Sequence, residues 1–128
     1  MILPVKTRSR TELVDITGDV QAAISEAGVR DGFCMVFIPH TTAAVTINEN
    51  ADPTVKDDML KVINKIIPWD DGYRHLEGNS AAHIKSTLVG ASELLAVVGG
   101  KLQLGTWQGI FFCEFDGPRR RKVHLHFI

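Results

Sequence analysis

The sequence predicts an α+β fold, a mostly antiparallel β-sheet or sandwich with about three helices, in a single compact domain over residues 1–128. Three observations predict it. The chain has 128 residues, the size at which one domain buries its own core. Helical periodicity recurs in only three windows, while about seven or eight short apolar runs read as strands. Consecutive strands lack the crossover helix that parallel pairing requires, which disfavours a doubly wound sheet.

Ile2 to Arg8 reads as the opening strand and Leu13 to Ile16 as the second. Thr17 is placed to cap a helix from Asp19 to Ala27, with Val20, Ala23, Ile24 and Ala27 on one face and Gly28 at its C-terminal stop. Phe33 to Ile38 is a short apolar strand. Pro39-His40-Thr41-Thr42 separates it from the alternating strand Ala44 to Ile47. Asp52 suits an N-cap and Pro53 the first helical position of a helix whose stripe is Val55, Met59, Leu60, Ile63, Ile66 and Ile67, ended by Pro68. Trp69 to Ser80 lacks periodicity and is long enough to carry a function. Asn79 or Ser80 caps a third helix through Leu88, after which Glu93–Val98, Lys101–Leu104, Thr106–Phe115 and Arg121–Phe127 read as strands.

With 45% hydrophobic and 23% charged residues, the composition is that of an ordinary soluble globular protein rather than a disordered one. A formal net charge of −1 gives no general attraction to nucleic acid or anionic membrane. The run Arg119-Arg120-Arg121-Lys122 is expected to close a turn or pair with acids, and nucleic-acid binding is not expected. No window approaches the roughly 18 apolar residues needed to span a bilayer. Met1 to Lys6 lacks both a charged n-region and a long apolar stretch, so a cytoplasmic protein is expected. Cys34 and Cys113 lie in apolar runs and read as buried thiols.

His40 follows Pro39 at a strand end, where its imidazole emerges at a turn. Asn48-Glu49-Asn50-Ala51-Asp52 hands a strand to a helix N-terminus; it reads either as an anion site or as simple capping and turning. Tyr73, Arg74, His75, Glu77, His83 and Lys85 fall in the long loop and the helix it opens. His75 and His83 are not i,i+4 partners, yet both can converge with His40 to bind a divalent metal or to serve acid–base chemistry. Gly105-Thr106-Trp107-Gln108 is either a pocket wall, with a large ring and an amide that need partners, or a hairpin corner. His124 and His126 share one face of the last strand and are expected to face solvent, outside the site.

These residues together resemble the YjbQ-like family, whose members carry the description secondary thiamine-phosphate synthase. The most specific part is Ser92-Glu93-Leu94-Leu95-Ala96-Val97-Val98-Gly99-Gly100 leading through Lys101–Leu104 to Gly105-Thr106-Trp107-Gln108-Gly109-Ile110. It is supported by His40-Thr41-Thr42-Ala43, the segment from Asn48 to Val55 with Asp58, Tyr73 and His75 before Glu77-Gly78, His83-Ile84-Lys85-Ser86, and Glu114 before Asp116-Gly117-Pro118-Arg119. The resemblance implies a homotrimer with a polar site near subunit contacts. It implies that His40, His75 and His83, with Asn48, Asn50, Asp58, Gln108 and Glu114 as neighbours, form that site.

Three functions follow as expectations. The first joins a pyrimidine-methyl diphosphate to a thiazole phosphate with release of pyrophosphate, as the family description implies. In it Lys85, Arg74 and the helix start near Asp52 hold phosphate, Trp107 or Tyr73 stacks on a ring, and Mg2+ serves the diphosphate. The second is a zinc-type enzyme of another reaction class, in which His40, His75 and His83 hold the ion and Glu49, Asp58 or Glu114 moves a proton. The third is a non-enzymatic binder of a phosphorylated metabolite. In each, the expectation is one cleft that gathers the three imidazoles and is bordered by Trp107 and Gln108.

Overall fold

The computed structural model describes residues 1–128. In chain order its elements are β1 (Ile2–Lys6), β2 (Glu12–Asp15), α1 (Thr17–Ala27), β3 (Gly32–Phe37), β4 (Ala43–Glu49), α2 (Pro53–Ile66), α3 (Ser80–Val89), β5 (Ser92–Val98), β6 (Lys101–Leu102), β7 (Gln108–Glu114) and β8 (Arg120–Phe127). Eight strands form a five-stranded sheet, β1-β8-β3-β5-β6, and a three-stranded sheet, β2-β7-β4, and every pairing is antiparallel. The α+β class, the three helices and the antiparallel sheets agree with the expectation from sequence.

The main core fills the space between the sheets. Cys34, Val36, Leu95, Val97, Val123 and Leu125 come from the larger sheet, Val45, Ile110 and Phe112 from the smaller, and Val20, Ala23 and Ile24 from α1 close one side. A second cluster covers the opposite face of the smaller sheet, where Phe111, Cys113 and Phe115 meet Ala82 of α3 and Met59, Leu60 and Ile63 of α2. β7 is therefore covered on both faces, which explains why Ile110 to Glu114 shows no polar alternation. Burial pushes the thiol of Cys34 up to about 11 and that of Cys113 to about 12, so both act as small apolar side chains.

The helix boundaries follow local chemistry. Asp52 is the N-cap of α2, accepting from Thr54 N at 3.0 Å and Thr54 Oγ1 at 2.7 Å, and Pro53 occupies the first position, where its missing N–H costs nothing. Gly28 ends α1 at φ +68°, a left-handed conformation that favours glycine. At the start of α1 the structure differs from the sequence reading. Thr17 is the first helical residue, and Asp15 Oδ1 accepts from its N–H (2.9 Å) and hydroxyl (2.6 Å), so the aspartate does the work assigned to the threonine. No helix is long and apolar enough to cross a membrane.

A candidate anion and acid–base cleft

Three loops and one helix converge beside the Glu114 end of β7. The turn after β3 supplies His40, the long loop before α3 supplies His75, α3 supplies His83, and the connection from β7 to β8 supplies Asp116 and Arg119. Together with Asn79 and Arg121 they line a cleft of about 500 Å3 that contains no large apolar side chain. His75 and His83 meet edge to face, ring centres 5.6 Å apart. A smaller cavity of about 380 Å3 shares His40 and His83, and another shares His75 and His83 with Tyr73 and Arg74, so His83 stands at the junction of all three. The structure brings the three imidazoles to one cleft.

The cleft rests on a buried ion pair. Glu114, with no exposed surface, receives Arg121 Nε at 2.9 Å on Oε1 and Arg121 Nη2 on Oε2, Thr7 Oγ1 at 2.7 Å, and the Asp116 N–H at 3.1 Å. Arg121 Nη2 also donates to Thr42 Oγ1 at 2.8 Å. Burial pushes the Glu114 carboxyl up, but the hydrogen bonds from Arg121, Thr7 and the Asp116 N–H outweigh it and hold the group below the usual carboxylate range. With both oxygens occupied, Glu114 anchors the cleft floor; the proton-moving role expected of it is not one this geometry offers. Arg119, by contrast, keeps its guanidinium in the open cleft, steadied by Asp116 (Nη2 to Oδ2 3.0 Å, Nε to main-chain O 2.7 Å).

One ring nitrogen of His40 is engaged by the main chain: Nε2 accepts the Lys122 N–H at 3.0 Å. Burial and the nearby Arg121 guanidinium lower its affinity for a proton below the usual histidine range, so the neutral ring with the proton on Nδ1 is favoured. The Nε2 lone pair is taken and Nδ1 carries hydrogen, so His40 has no free lone pair for an ion, and no group of three His, Cys, Asp or Glu side chains stands close enough to hold one. The His40, His75, His83 set lines one cleft without forming a metal-ligand set.

Several other expected site residues lie elsewhere. Trp107 and Gln108 stand at the far end of β7, a seven-residue strand whose ends, Gln108 and Glu114, lie about 20 Å apart. There Gln108 Oε1 accepts from Gly105 N at 2.8 Å and Gln108 N donates to Gly105 O at 3.1 Å, closing the hairpin corner. Trp107 is 63% exposed. Asn50 and Asn48 belong to the same end. Asn50 N donates to Trp107 O at 2.9 Å, and the Asn50 side chain packs so closely over Gly109 that a Cβ there would come within 2.6 Å of it. Asn48 Oδ1 accepts from the Glu49 N–H. Asp58 is exposed on α2, at the rim of an apolar groove lined by Met59, Ile63 and Phe115. Lys85, 2% exposed, points from α3 to α2 and donates to Asn64 Oδ1 at 2.7 Å; burial and the charge of Arg10 lower its proton affinity. It braces two helices instead of holding phosphate. Tyr73 borders the His75–His83 cavity, its hydroxyl donating to Pro68 O at 2.7 Å.

The family model described as "UPF0047 protein YjbQ-like" matches residues 1–128. The chain belongs to this family. Among YjbQ-like relatives, a UPF0047 protein of Methanocaldococcus jannaschii is 56% identical over 124 residues, 97% of this chain and 90% of the relative. UPF0047 protein YugU of Bacillus subtilis is 53% identical, covering 96% of this chain and 94% of its own length. A crystal structure from Clostridium acetobutylicum, described as an uncharacterized conserved protein of the YjbQ/UPF0047 family, superposes with a TM-score of 0.97 at 52% identity, covering 100% of this chain and 99% of that one. The YjbQ-like family and fold are thereby established; the places of Asn79, Asp116, Arg119 and Arg121 in the cleft come from the geometry. Reading for site chemistry passed over them. For Arg121 a signal was present, because it shares the two-residue period of Val123 and Leu125 and so turns inward with them.

Proposed function

We propose that the cleft binds a phosphorylated small molecule and applies acid–base chemistry to it, as in a transfer that releases pyrophosphate. One observation carries this reading: three imidazoles from distant segments border a polar cleft together with the unsaturated guanidinium of Arg119. A guanidinium suits phosphate oxygens, and imidazoles accept or deliver a proton near neutral pH. In the finer form suggested by the resemblance, the pyrimidine-methyl carbon exchanges its diphosphate oxygen for the thiazole nitrogen. Arg119 meets the charge on the departing pyrophosphate and His83 protonates it. Trp107 takes no part, since it lies beyond the far end of β7; Tyr73 is the aromatic ring beside the histidines.

The test is direct. With pyrimidine-methyl diphosphate and thiazole phosphate, the protein is expected to release pyrophosphate in a saturable manner, followed by coupled phosphate detection and by chromatography of thiamine phosphate. Binding of either phosphate ester without turnover would make the cleft a binding site and remove the transferase reading.

We further infer that the chain assembles with copies of itself, the trimer being the assembly that the family resemblance implies. Ile2, Phe33, Phe37, Leu94, Val98 and Ile128 are exposed on the outer face of the five-stranded sheet, where the register sets them beside His124 and His126. An apolar patch of that kind is unusual on a monomer. Light scattering is expected to give the mass of three chains, and Leu94→Glu with Phe33→Glu the mass of one. A single-chain mass for the unaltered protein would overturn the inference.

A further inference from the structure

The cleft holds one polar atom that the protein leaves unanswered. Asn79 is 8% exposed, and its Oδ1 has no hydrogen-bond donor. Turning the amide over does not remedy this. Asn79 Nδ2 donates to Asp116 Oδ2 at 2.8 Å, and Arg119 donates to the same oxygen at 3.0 Å, so the carboxylate is fixed and a reversed amide would set oxygen against oxygen. Asn79 directly precedes α3, yet its side chain makes no capping bond to that helix. A buried acceptor without a donor is costly, and such a group in a folded protein calls for an explanation.

The same cleft carries the complementary feature. His40 Nε2 is occupied by the Lys122 N–H, which leaves its proton on Nδ1, and Nδ1 has no protein partner. The residues lining the cleft thus include one fixed donor, one fixed and buried acceptor, and a guanidinium. A bare dianion satisfies the donor and the guanidinium but leaves Asn79 Oδ1 unpaired.

We propose that the cleft selects an anion bearing its own hydrogen-bond donor, a phosphate monoester with a hydroxyl or amino group, and that Asn79 Oδ1 is the atom that reads the donor. This rests on the anion-binding reading above and adds the class of ligand to it. Sites built to hydrogen-bond a ligand group reject the analogue that lacks it, because the protein atom is then left buried and unpaired.

Calorimetric titration of the full chain with glycerol 3-phosphate and with propyl phosphate at pH 8, where both are dianions, tests it. The hydroxylated ester is expected to bind about tenfold tighter, and Asn79→Ser to bring the ratio near one. Should Asn79→Ser fail to fold, Asp116→Asn serves in its place: without the carboxylate the amide is free to turn, and the ratio is expected to shrink. Equal affinity for the two esters in the unaltered protein, or a ratio that survives both substitutions, overturns the proposal while the anion-binding reading stands. Binding of neither ester removes that reading and the proposal with it.

Discussion

Replacing Arg121 with Met is expected to lower the unfolding free energy by about 3–5 kcal/mol, the cost of leaving one partner of a buried ion pair uncompensated. For a chain of this length that corresponds to a fall in melting temperature on the order of 10–20 °C by calorimetry. The size of the effect comes from Glu114. It has no exposed surface, and Arg121 supplies the hydrogen bonds to both of its oxygens that let the charge stay buried. Lys122→Met, one residue along the same basic run, is expected to change stability by less than about 0.5 kcal/mol, since that side chain is exposed.

The pH dependence carries a sign. The Glu114 carboxyl of the folded protein lies below its ordinary value of 4.5, so its contribution is fully present above that pH and is lost as pH falls through the folded value. In Arg121→Met the foremost group opposing burial is gone, leaving Thr7 and the Asp116 N–H against it, and the carboxyl is expected to rise above its ordinary value. The group then binds its proton more readily folded than unfolded, so the variant should gain stability as pH falls toward 4.5, a range in which the parent's Glu114 contribution is constant. Melting curves between pH 4 and pH 7 that move in parallel for the two proteins would show that the pair does not support the cleft floor.

The second large effect belongs to His83. His83→Ala is expected to reduce pyrophosphate release by about 10²–10⁴-fold, the range for loss of a general acid or base, while the melting temperature changes little. His83 is half-buried on α3, at the junction of the three cavities, and its ring meets His75 edge-on. Alanine is the best helix former, so α3 keeps its backbone. Wild-type turnover in this variant would take His83 out of the chemistry. A cooperative melt alongside lost turnover separates it from Arg121, whose removal acts through the fold.

Much of the scaffold was legible. Asp52-Pro53 and Gly28 mark helix ends through groups that act within a few residues, and the alternation of Ala44 to Ile47 reports a sheet face directly. The gathering of His40, His75 and His83 was open to them by position, at a strand end, in a long loop and on the helix that loop opens, and it was the family resemblance that implied it. The far border of the cleft was not legible. The resemblance joins Gln108, Asn48 and Asn50 to the histidines, and the Gly-Thr-Trp-Gln segment adds Trp107, yet the apolar run from Ile110 to Cys113 between Gln108 and Glu114 is a strand that keeps its two ends apart. The polar groups of the far end satisfy one another in the hairpin corner.

Lys85 and Glu114 illustrate a related difficulty. A charged residue in an apolar context reads as functional, but burial obliges it to find a partner inside the protein, and that partner is set by packing distant in sequence. Lys85 finds Asn64 of α2, and Glu114 finds Arg121 of β8. Asn79 is the reverse case: as a helix-preceding residue it reads as a cap, and only the position of Asp116 turns its amide away from that task.

The most direct measurement is nitrogen and proton NMR of the histidine side chains, the arginine side chains and the tryptophan indoles during titration with glycerol 3-phosphate. The account predicts saturable shifts at the imidazoles of His40, His75 and His83 and at Arg119, with the Trp107 indole unmoved. Shifts confined to Trp107 and Asn50, or none that saturate at the imidazoles, would contradict it.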